Sequence, residues 1–309
     1  MKTGFPKSTE NKKAFVVTIG NFDGLHKGHT ALINKVCELK KKHNLTSAVF
    51  TFNVNTKCSN NLIFPQNQLS EYLKDFDIDY ILKPDFLNEI KGLSCEEFVK
   101  SFLTEKLNVK YAVVGENFFF GNGKSGNAQT LKELGKKYGF KTIIIKSKTT
   151  GGKTISSTLI REYLKEGKIS LANRLTYRNF SFYGIVKKGY HVGSSILSIP
   201  TANISYPKNA VIVKNGVYAS VTTIDGKKYK SITNIGKNPT KPKKHITAET
   251  NIMGFSSDIY KKRIKVELVK YIRNETVFPT AEALKMQIEK DIKTVEKFFL
   301  NSGDFYENN

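Results

Sequence analysis

The sequence predicts two domains of different class: an α/β domain with a Rossmann-type parallel sheet, then an antiparallel β-barrel that ends in a helix. The 309 residues suffice for two domains of ordinary size. The first half alternates short β-branched runs with amphipathic stretches, which is typical of βαβ units. The second half alternates strands with turn signals. We therefore predict domains at 1–177 and 178–309.

The N-terminal half is predicted to contain five strands separated by helices. The predicted strands are 15–19, 48–52, 79–82, 111–114 and 142–145. In the first helix, Leu32, Val36 and Leu39 share one face. Ser94 and Glu97 have the spacing of a capping box at the start of a second helix. Two further helices are predicted at 129–138 and 157–166.

The C-terminal half is predicted to be a small closed antiparallel barrel. Its predicted strands include 180–186, 216–223, 231–234 and 263–271, with turns at 225–226 and 236–239. The chain then ends in a helix over 281–300. Five apolar residues recur there at helical spacing: Leu284, Ile288, Ile292, Val295 and Phe299.

Composition narrows the class of protein. The formal charge of +23 comes from 50 basic and 27 acidic residues, but the lysines are scattered along the chain. Nucleic acid is therefore not expected as a partner, and the charge favours anionic substrates. Without an apolar run long enough for a membrane span or a secretory signal, we expect a cytoplasmic protein. The spacing of Cys37, Cys58 and Cys95 predicts neither a disulfide nor a zinc site.

The segment GNFDGLHKGH, residues 20–29, lies between the first strand and the first helix. A glycine-containing turn there brings backbone close to a ligand and directs helix N–H groups at an anion. His26 and His29 are three residues apart and so face one side. They are the predicted catalytic donors to phosphate oxygens at the α-phosphorus of ATP. The predicted nucleotide-binding turn is Gly20, Asn21, Phe22, Asp23 and Gly24.

A second candidate segment is ISSTLIR, residues 155–161. The hydroxyls of Ser156, Ser157 and Thr158 stand at a predicted helix start, where phosphate binds. Arg161 can hold the triphosphate or pyrophosphate in bidentate fashion. In the alternative interpretation, Ser156 or Ser157 is an N-cap and Arg161 is a solvated side chain.

The second half contains PTANI, residues 200–204. In an extended segment the Thr201 hydroxyl and the Asn203 carbonyl point to the same side. Both are hard oxygen donors suited to Mg²⁺ and its phosphate partner. They are the predicted metal ligands.

GNFDGLHKGH and ISSTLIR resemble the nucleotidyltransferase half of bacterial bifunctional riboflavin kinase/FMN adenylyltransferases (FAD synthetases). The runs at 93–107 and 113–127 follow the same order. The resemblance implies transfer of an adenylyl group from ATP to FMN with Mg²⁺, giving FAD and pyrophosphate. It also implies that Asn117 and residues 118–121 lie near the flavin or adenylate.

The second half resembles riboflavin kinases, through PTANI and the runs GVYA, NIGKNPT and AETNIMGFSSDIY that follow it. That resemblance implies a six-stranded barrel that phosphorylates the 5′-hydroxyl of riboflavin. It further implies that Glu249 is the catalytic base. By composition alone, Glu249 would be interpreted as a surface strand residue.

The sequence departs from the family at several positions. TFNVNT, residues 51–56, stands where the family has TFEPHP, and Ser195, Ser198, Asn251 and Lys261 replace residues usual there. One alternative is therefore a riboflavin kinase with a weakened adenylyltransferase half. Another is a basic nucleic-acid-binding protein on a nucleotidyltransferase-like scaffold.

Overall fold

The computed structural model describes residues 1–6, 13–52, 61–65, 68–85, 89–187, 201–237 and 246–301. The chain divides into two compact units. The first unit comprises residues 1–59 and 67–159, and the second unit comprises 60–66 and 160–309. The boundary predicted at 177/178, as a division between two activities, stays a prediction.

The first unit contains a six-stranded parallel sheet in the order β1-β4-β3-β2-β5-β8. Its strands are β1 (Lys2–Thr3), β2 (Phe15–Ile19), β3 (Thr46–Phe50), β4 (Tyr80–Leu82), β5 (Val109–Gly115) and β8 (Lys141–Ile145). Two short hairpins add β6 (Phe119–Phe120) with β7 (Gly126–Asn127), and β9 (Thr149–Thr150) with β10 (Lys153–Thr154). Every residue of the central strands β2 and β3 is buried, as expected for strands covered on both faces.

Helices connect these strands. They are α1 (Lys27–His43), α2 (Gln68–Tyr72), α3 (Cys95–Phe98), α4 (Ala128–Tyr138) and α5 (Ser157–Lys165), with 3₁₀ turns at Leu73–Asp75 and Asn122–Lys124 and a π-helix at Val99–Lys106. The predicted capping box is present: Glu97 N–H donates to Ser94 Oγ at 3.2 Å, and Ser94 N–H donates to Glu97 Oε2 at 2.7 Å. In α1, Leu32, Val36 and Leu39 are buried on one face, as predicted.

The second unit contains a six-stranded antiparallel sheet in the order β11-β16-β13-β14-β15-β12. Its strands are β11 (Ser181–Ile185), β12 (Thr201–Ser205), β13 (Gly216–Ile224), β14 (Lys227–Lys237), β15 (Ile246–Ile252) and β16 (Arg263–Arg273). The two edge strands approach each other through an antiparallel bridge between Lys187 and Asn203. Gly184 of β11 also lies against Ile204 of β12, where a Cβ would stand 2.6 Å from Ile204 Cβ. The sheet is therefore a nearly closed barrel.

The second unit also contains α5 from Ile160 onward, and two further helices complete its described part, α6 (Ile169–Leu175) and α7 (Ala281–Asn301). Asn173 of α6 donates from Nδ2 to the Leu268 carbonyl of β16 at 2.8 Å. Val295 and Phe299 of α7 pack on one face of the sheet. Five buried hydroxyls line the opposite face in one hydrogen-bonded chain: Thr222, Ser231, Ser220, Thr233 and Thr250.

The predicted fold class is confirmed, and the differences are local. Strand β14 runs to Lys237, so Gly236 lies in a strand where a turn was predicted. The predicted turn at 225–226 is present, with positive φ at Asp225 (49°) and Gly226 (82°). Pairing with β13 and β15 extends β14 beyond its predicted limits, because tertiary pairing overrides local turn signals.

Candidate functional sites

The first candidate site is the loop between β2 and α1, at the carboxyl edge of the parallel sheet. Gly20 N–H donates to the Phe50 carbonyl at 3.0 Å, and Thr51 Oγ1 donates to the Asn21 carbonyl at 3.2 Å. Phe22 is fully buried with a φ of 51°, and Gly24 has a φ of 84°. This edge is where parallel α/β sheets bind ligands.

His26 and His29 lie together, as the three-residue spacing predicts. Their rings are stacked with centroids 3.6 Å apart and planes 20° apart. Phe22 lies on the other side, with its centroid 5.1 Å from that of His29. The two imidazoles therefore form one packed unit at the start of α1.

The hydrogen bonds of His26 define its tautomer. The backbone N–H groups of Gly28 and His29 donate to His26 Nδ1 at 3.2 and 3.3 Å, so His26 is the N-cap of α1. An Nδ1 atom that accepts carries no proton, and the neutral ring then carries its proton on Nε2. His29 Nδ1 is buried without a partner among the described residues.

Both histidines are neutral near pH 7. Burial lowers the pKa of His26 to about 4. Burial also lowers the pKa of His29, and the neighbouring His26 lowers it further. The rings are thus suited to donate neutral N–H groups rather than to supply fixed positive charge.

The hydroxyls of the second motif have separate partners. Ser157 Oγ donates to the Asp23 carbonyl at 2.8 Å, which joins the start of α5 to the loop before α1. Ser156 Oγ accepts from Leu159 N–H at 3.2 Å, the capping role of the alternative interpretation. Thr158 is exposed.

Arg161 belongs to the second unit. Its Nε donates to the Asn61 carbonyl at 2.7 Å. Its predicted contact with the triphosphate stays a prediction.

Asn117 follows β5 at the same carboxyl edge of the sheet. Its Nδ2 donates to Ser147 Oγ at 3.2 Å, and Ser147 N–H donates to Glu116 Oε1 at 3.1 Å. Nearby, Phe119 is 56% exposed, although Phe118 and Phe120 stack on each other at 5.4 Å. An exposed aromatic ring at this edge suits a flat ligand. Of the TFNVNT segment, residues 53–56 lie outside the described residues.

The second candidate site is a row of side chains across three neighbouring strands. Asn234 of β14 is directly opposite Glu249 of β15, and Glu249 is directly opposite Asn203 of β12. Thr201 is directly opposite Asn251, two residues along the same strands. Since paired residues share a face, the three predicted residues Thr201, Asn203 and Glu249 lie on one face of the sheet.

That face is the one on which α7 packs. Ile232 belongs to the cluster with Val295 and Phe299, and it stands two residues before Asn234 on β14. Alternate residues of a strand face the same side. The predicted kinase residues are therefore on the α7 side of the barrel, beside Asn234.

Glu249 has a second carboxylate nearby. Although the residue as a whole is exposed, the protein around its carboxylate excludes enough water to raise its pKa, and the charge of Glu275 raises it further. Asn234 Nδ2 donates to Glu275 Oε1 at 3.4 Å. A Cβ on Gly236 would collide with the Glu275 carboxylate, so the missing side chain makes room for it.

Asn234 and Glu275 were not among the residues predicted for the site. Asn234 stands in the NIGKNPT run. The alternation of side chains along β14 is the sequence signal that would place it on the same face as Glu249. Glu275 is 41 residues further along the chain. Its approach depends on the space above Gly236, which no local pattern in the sequence indicates.

The donor set beside Glu249 fits Mg²⁺. Thr201 supplies a hydroxyl and Asn203 a carbonyl oxygen, and magnesium typically takes few protein oxygens and keeps waters and substrate phosphates as its other ligands. Among the described residues there is no cluster of three or more histidine, cysteine or acidic side chains that could hold a metal ion. The fit therefore rests on neutral oxygens, which leave the remaining ligand positions to waters and phosphates.

A cavity of about 510 Å³ lies at the opposite, amino edge of the parallel sheet. Lysines line it, among them Lys2, Lys13 and Lys41, and it contains none of the motif residues. It is not the site of the predicted chemistry.

A nucleotidyltransferase-like parallel sheet and a nearly closed barrel, each with its own motif set, define a two-unit transferase of phosphorus-containing groups. The FAD synthetase family profile matches residues 8–159, and the riboflavin kinase family profile matches residues 176–299. No helix among the described residues is long and apolar enough to cross a membrane.

Three curated relatives are each named bifunctional riboflavin kinase/FMN adenylyltransferase. That of Buchnera aphidicola subsp. Schizaphis graminum is 41% identical over 92% of this chain and 93% of the relative. That of Escherichia coli K12 is 34% identical over 92% of each chain, and that of Bacillus subtilis 168 is 30% identical over 94% and 95%. The chain belongs to the bifunctional riboflavin kinase/FMN adenylyltransferase family.

A solved structure is similar over nearly the whole chain. It is titled macrolide-efflux protein from Streptococcus pneumoniae and is 27% identical, with a TM-score of 0.86 over 96% of this chain and 98% of that chain. This likeness supports the two-unit fold.

Proposed function

We propose that the second unit phosphorylates riboflavin to FMN and that the first unit adenylylates FMN to FAD, with ATP as the donor in both reactions. The observation that carries this proposal is that each unit contains its own motif residues in contact or in register. These are the stacked His26 and His29 in one unit and the row Asn203, Glu249 and Asn234 in the other.

In the adenylyl transfer, a phosphate oxygen of FMN bonds to the α-phosphorus of ATP, and the bond to pyrophosphate breaks. His26 Nε2–H donates to the phosphate oxygens that gain charge as this happens. Because the ring is neutral and fixed by its cap, this donor is oriented before the substrate binds. The predicted phosphate contacts of Ser157, Thr158 and Arg161, and the flavin contacts of Asn117, belong to this step.

In the kinase reaction, the 5′-hydroxyl oxygen of riboflavin bonds to the γ-phosphorus, ADP leaves, and Glu249 takes the hydroxyl proton. The raised pKa of Glu249 makes it a stronger base than an ordinary carboxylate. Thr201 and Asn203 would hold Mg²⁺, which when bound neutralises charge on the transferring phosphate. Since both reactions consume ATP, we propose that the chain acts in the cytoplasm.

The division of labour is tested by supplying riboflavin, ATP and Mg²⁺ and separating FMN from FAD. Glu249→Gln should abolish FMN formation but leave conversion of supplied FMN to FAD within about twofold. His29→Ala should do the reverse, because removing groups that act only in the transition state lowers kcat by orders of magnitude.

The exposed His43 stacks on Tyr111 outside the site, so His43→Ala is the control and should leave both reactions unchanged. The proposal fails if neither flavin is formed by the unaltered chain, or if each single variant abolishes both steps.

A further inference from the structure

In the side-chain amide of Asn234, the nitrogen has a hydrogen-bond partner and the oxygen has none among the described residues. Its Nδ2 donates to Glu275 Oε1 at 3.4 Å. A carboxylate can only accept, so the nitrogen of the amide must face Glu275. Oδ1 then points away, and this atom is buried without a hydrogen-bond partner among the residues that the structure describes.

A buried acceptor without a donor is unfavourable unless a ligand supplies the donor. Asn234 is directly opposite Glu249, the proposed base for a substrate hydroxyl. A polyol that presents one hydroxyl to Glu249 presents its next hydroxyls a few ångströms away. Oδ1 of Asn234 is therefore an acceptor at the place where a neighbouring hydroxyl would lie.

The orientation of the amide depends on how Glu275 is held. Arg273 Nη1 donates to the Asn274 carbonyl at 3.0 Å, and Tyr271 Oη donates to Asn274 Oδ1 at 2.5 Å. The first bond holds the backbone carbonyl immediately before Glu275, and the second holds the Asn274 side chain. The carboxylate then lies over Gly236, in space that any side chain there would fill.

We propose that Asn234 binds riboflavin by accepting a hydrogen bond from a ribityl hydroxyl, and that Glu275 is a positioning residue that holds the amide in the accepting orientation. This proposal rests on the kinase function proposed for the second unit. It assigns substrate recognition to two residues outside the predicted set of Thr201, Asn203 and Glu249.

The test compares riboflavin with its 2′-, 3′- and 4′-deoxyribityl analogues as substrates, by kcat/KM. The unaltered chain should discriminate against one analogue by about tenfold or more, because that analogue leaves Oδ1 unpaired. Asn234→Ala should lose activity on riboflavin by a similar factor and should no longer discriminate against that analogue.

Two further variants separate positioning from folding. Gly236→Ala keeps the side chains of Asn234 and Glu275 but displaces the Glu275 carboxylate, so it should weaken the discrimination against that analogue. Glu275→Ala should weaken the discrimination to the same extent. The double variant Gly236→Ala with Glu275→Ala should lose no more of this discrimination than either single variant does. Glu275→Gln still presents an oxygen to Asn234 Nδ2 and should retain most of the discrimination.

Glu296 is an exposed glutamate of α7, and Glu296→Ala should change nothing. Discrimination that persists in Asn234→Ala or in Gly236→Ala overturns the proposal while the kinase function stands. Absence of phosphorylation of riboflavin by the unaltered chain would instead overturn the proposed function.

Discussion

His26 combines two roles that are usually given to different residues. Its Nδ1 accepts the capping hydrogen bonds of α1. Because these bonds fix the ring, its Nε2–H points away from the helix and is left to donate. Asparagine, aspartate or serine would cap the helix equally well. A histidine at this position therefore adds a donor to the site, and burial keeps that donor neutral at pH 7.

This burial makes the first unit sensitive to acid. The pKa of His26 is about 4 in the folded chain and about 6.5 when unfolded, so the unfolded chain binds more protons between these values. Stability is therefore present above pH 6.5 and falls as the pH drops towards 4. His26→Asn keeps a capping side chain and removes this titration.

We expect the unaltered chain to lose about 2 kcal/mol more than His26→Asn between pH 7.5 and pH 5.0. Urea unfolding at the two pH values measures this difference, with amide exchange in α1 used to assign the transition. Equal losses in the two proteins would show that His26 titrates normally when folded. His43→Asn, at an exposed position, should behave as the unaltered chain does.

At the scale of elements, an ion pair with a buried carboxylate joins the end of β16 to α7. Arg273 Nε and Nη2 donate to Asp291 at 2.7 to 3.0 Å, and Gln287 Nε2 donates to the same carboxylate at 2.8 Å. The Asp291 side chain is 6% exposed. The pair fixes α7 on the barrel at the point where the chain turns towards Glu275.

Removing Asp291 leaves Arg273, whose side chain is 22% exposed, and Gln287 without their shared acceptor. Asp291→Ala should destabilise the second unit by about 2 kcal/mol, the range of hydrogen bonds to a charged group. The exposed Glu289 of the same helix provides the control, and Glu289→Ala should remain within about 0.5 kcal/mol of the unaltered chain. Urea unfolding measures both variants, and equal midpoints for the two would contradict an anchoring role for Asp291.

The sequence predicts those elements and contacts that depend on local spacing. The capping box of Ser94 and Glu97, the apolar face of α1 and the meeting of His26 with His29 all lie within one or two helical turns, and all are present. The shared face of Thr201 and Asn203 follows in the same way from strand alternation. These features need no knowledge of the tertiary structure.

Contacts between segments that are far apart in the sequence are not predicted by local spacing. The meeting of Glu275 with Asn234 depends on the register of three strands, β14, β13 and β16, and on the absence of a Cβ at Gly236. The neutral state of the two histidines depends on burial, which spacing does not predict. The phosphate sites at the two helix starts follow from residue chemistry, whereas the flavin acceptor and the role of Glu249 as base follow only from family resemblance.

At the scale of the whole molecule, a formal charge of +23 acts on every anion that approaches. The two proposed acceptors differ in charge, since riboflavin is neutral and FMN carries a phosphate. A net positive field raises the encounter rate only of the anionic acceptor. Salt reduces this effect, because the Debye length shortens from about 30 Å at 0.01 M to about 8 Å at 0.15 M.

We therefore expect kcat/KM for FMN, at saturating ATP, to fall severalfold between 10 and 300 mM salt, on the order of the range seen for electrostatic steering. The value for riboflavin under the same conditions should change by less than about twofold, so that each preparation contains its own uncharged control. Parallel losses for both acceptors would mean that salt acts on the fold or on ATP binding. A flat response for FMN would mean that the scattered lysines do not steer the acceptor, and that the excess charge has no part in substrate capture.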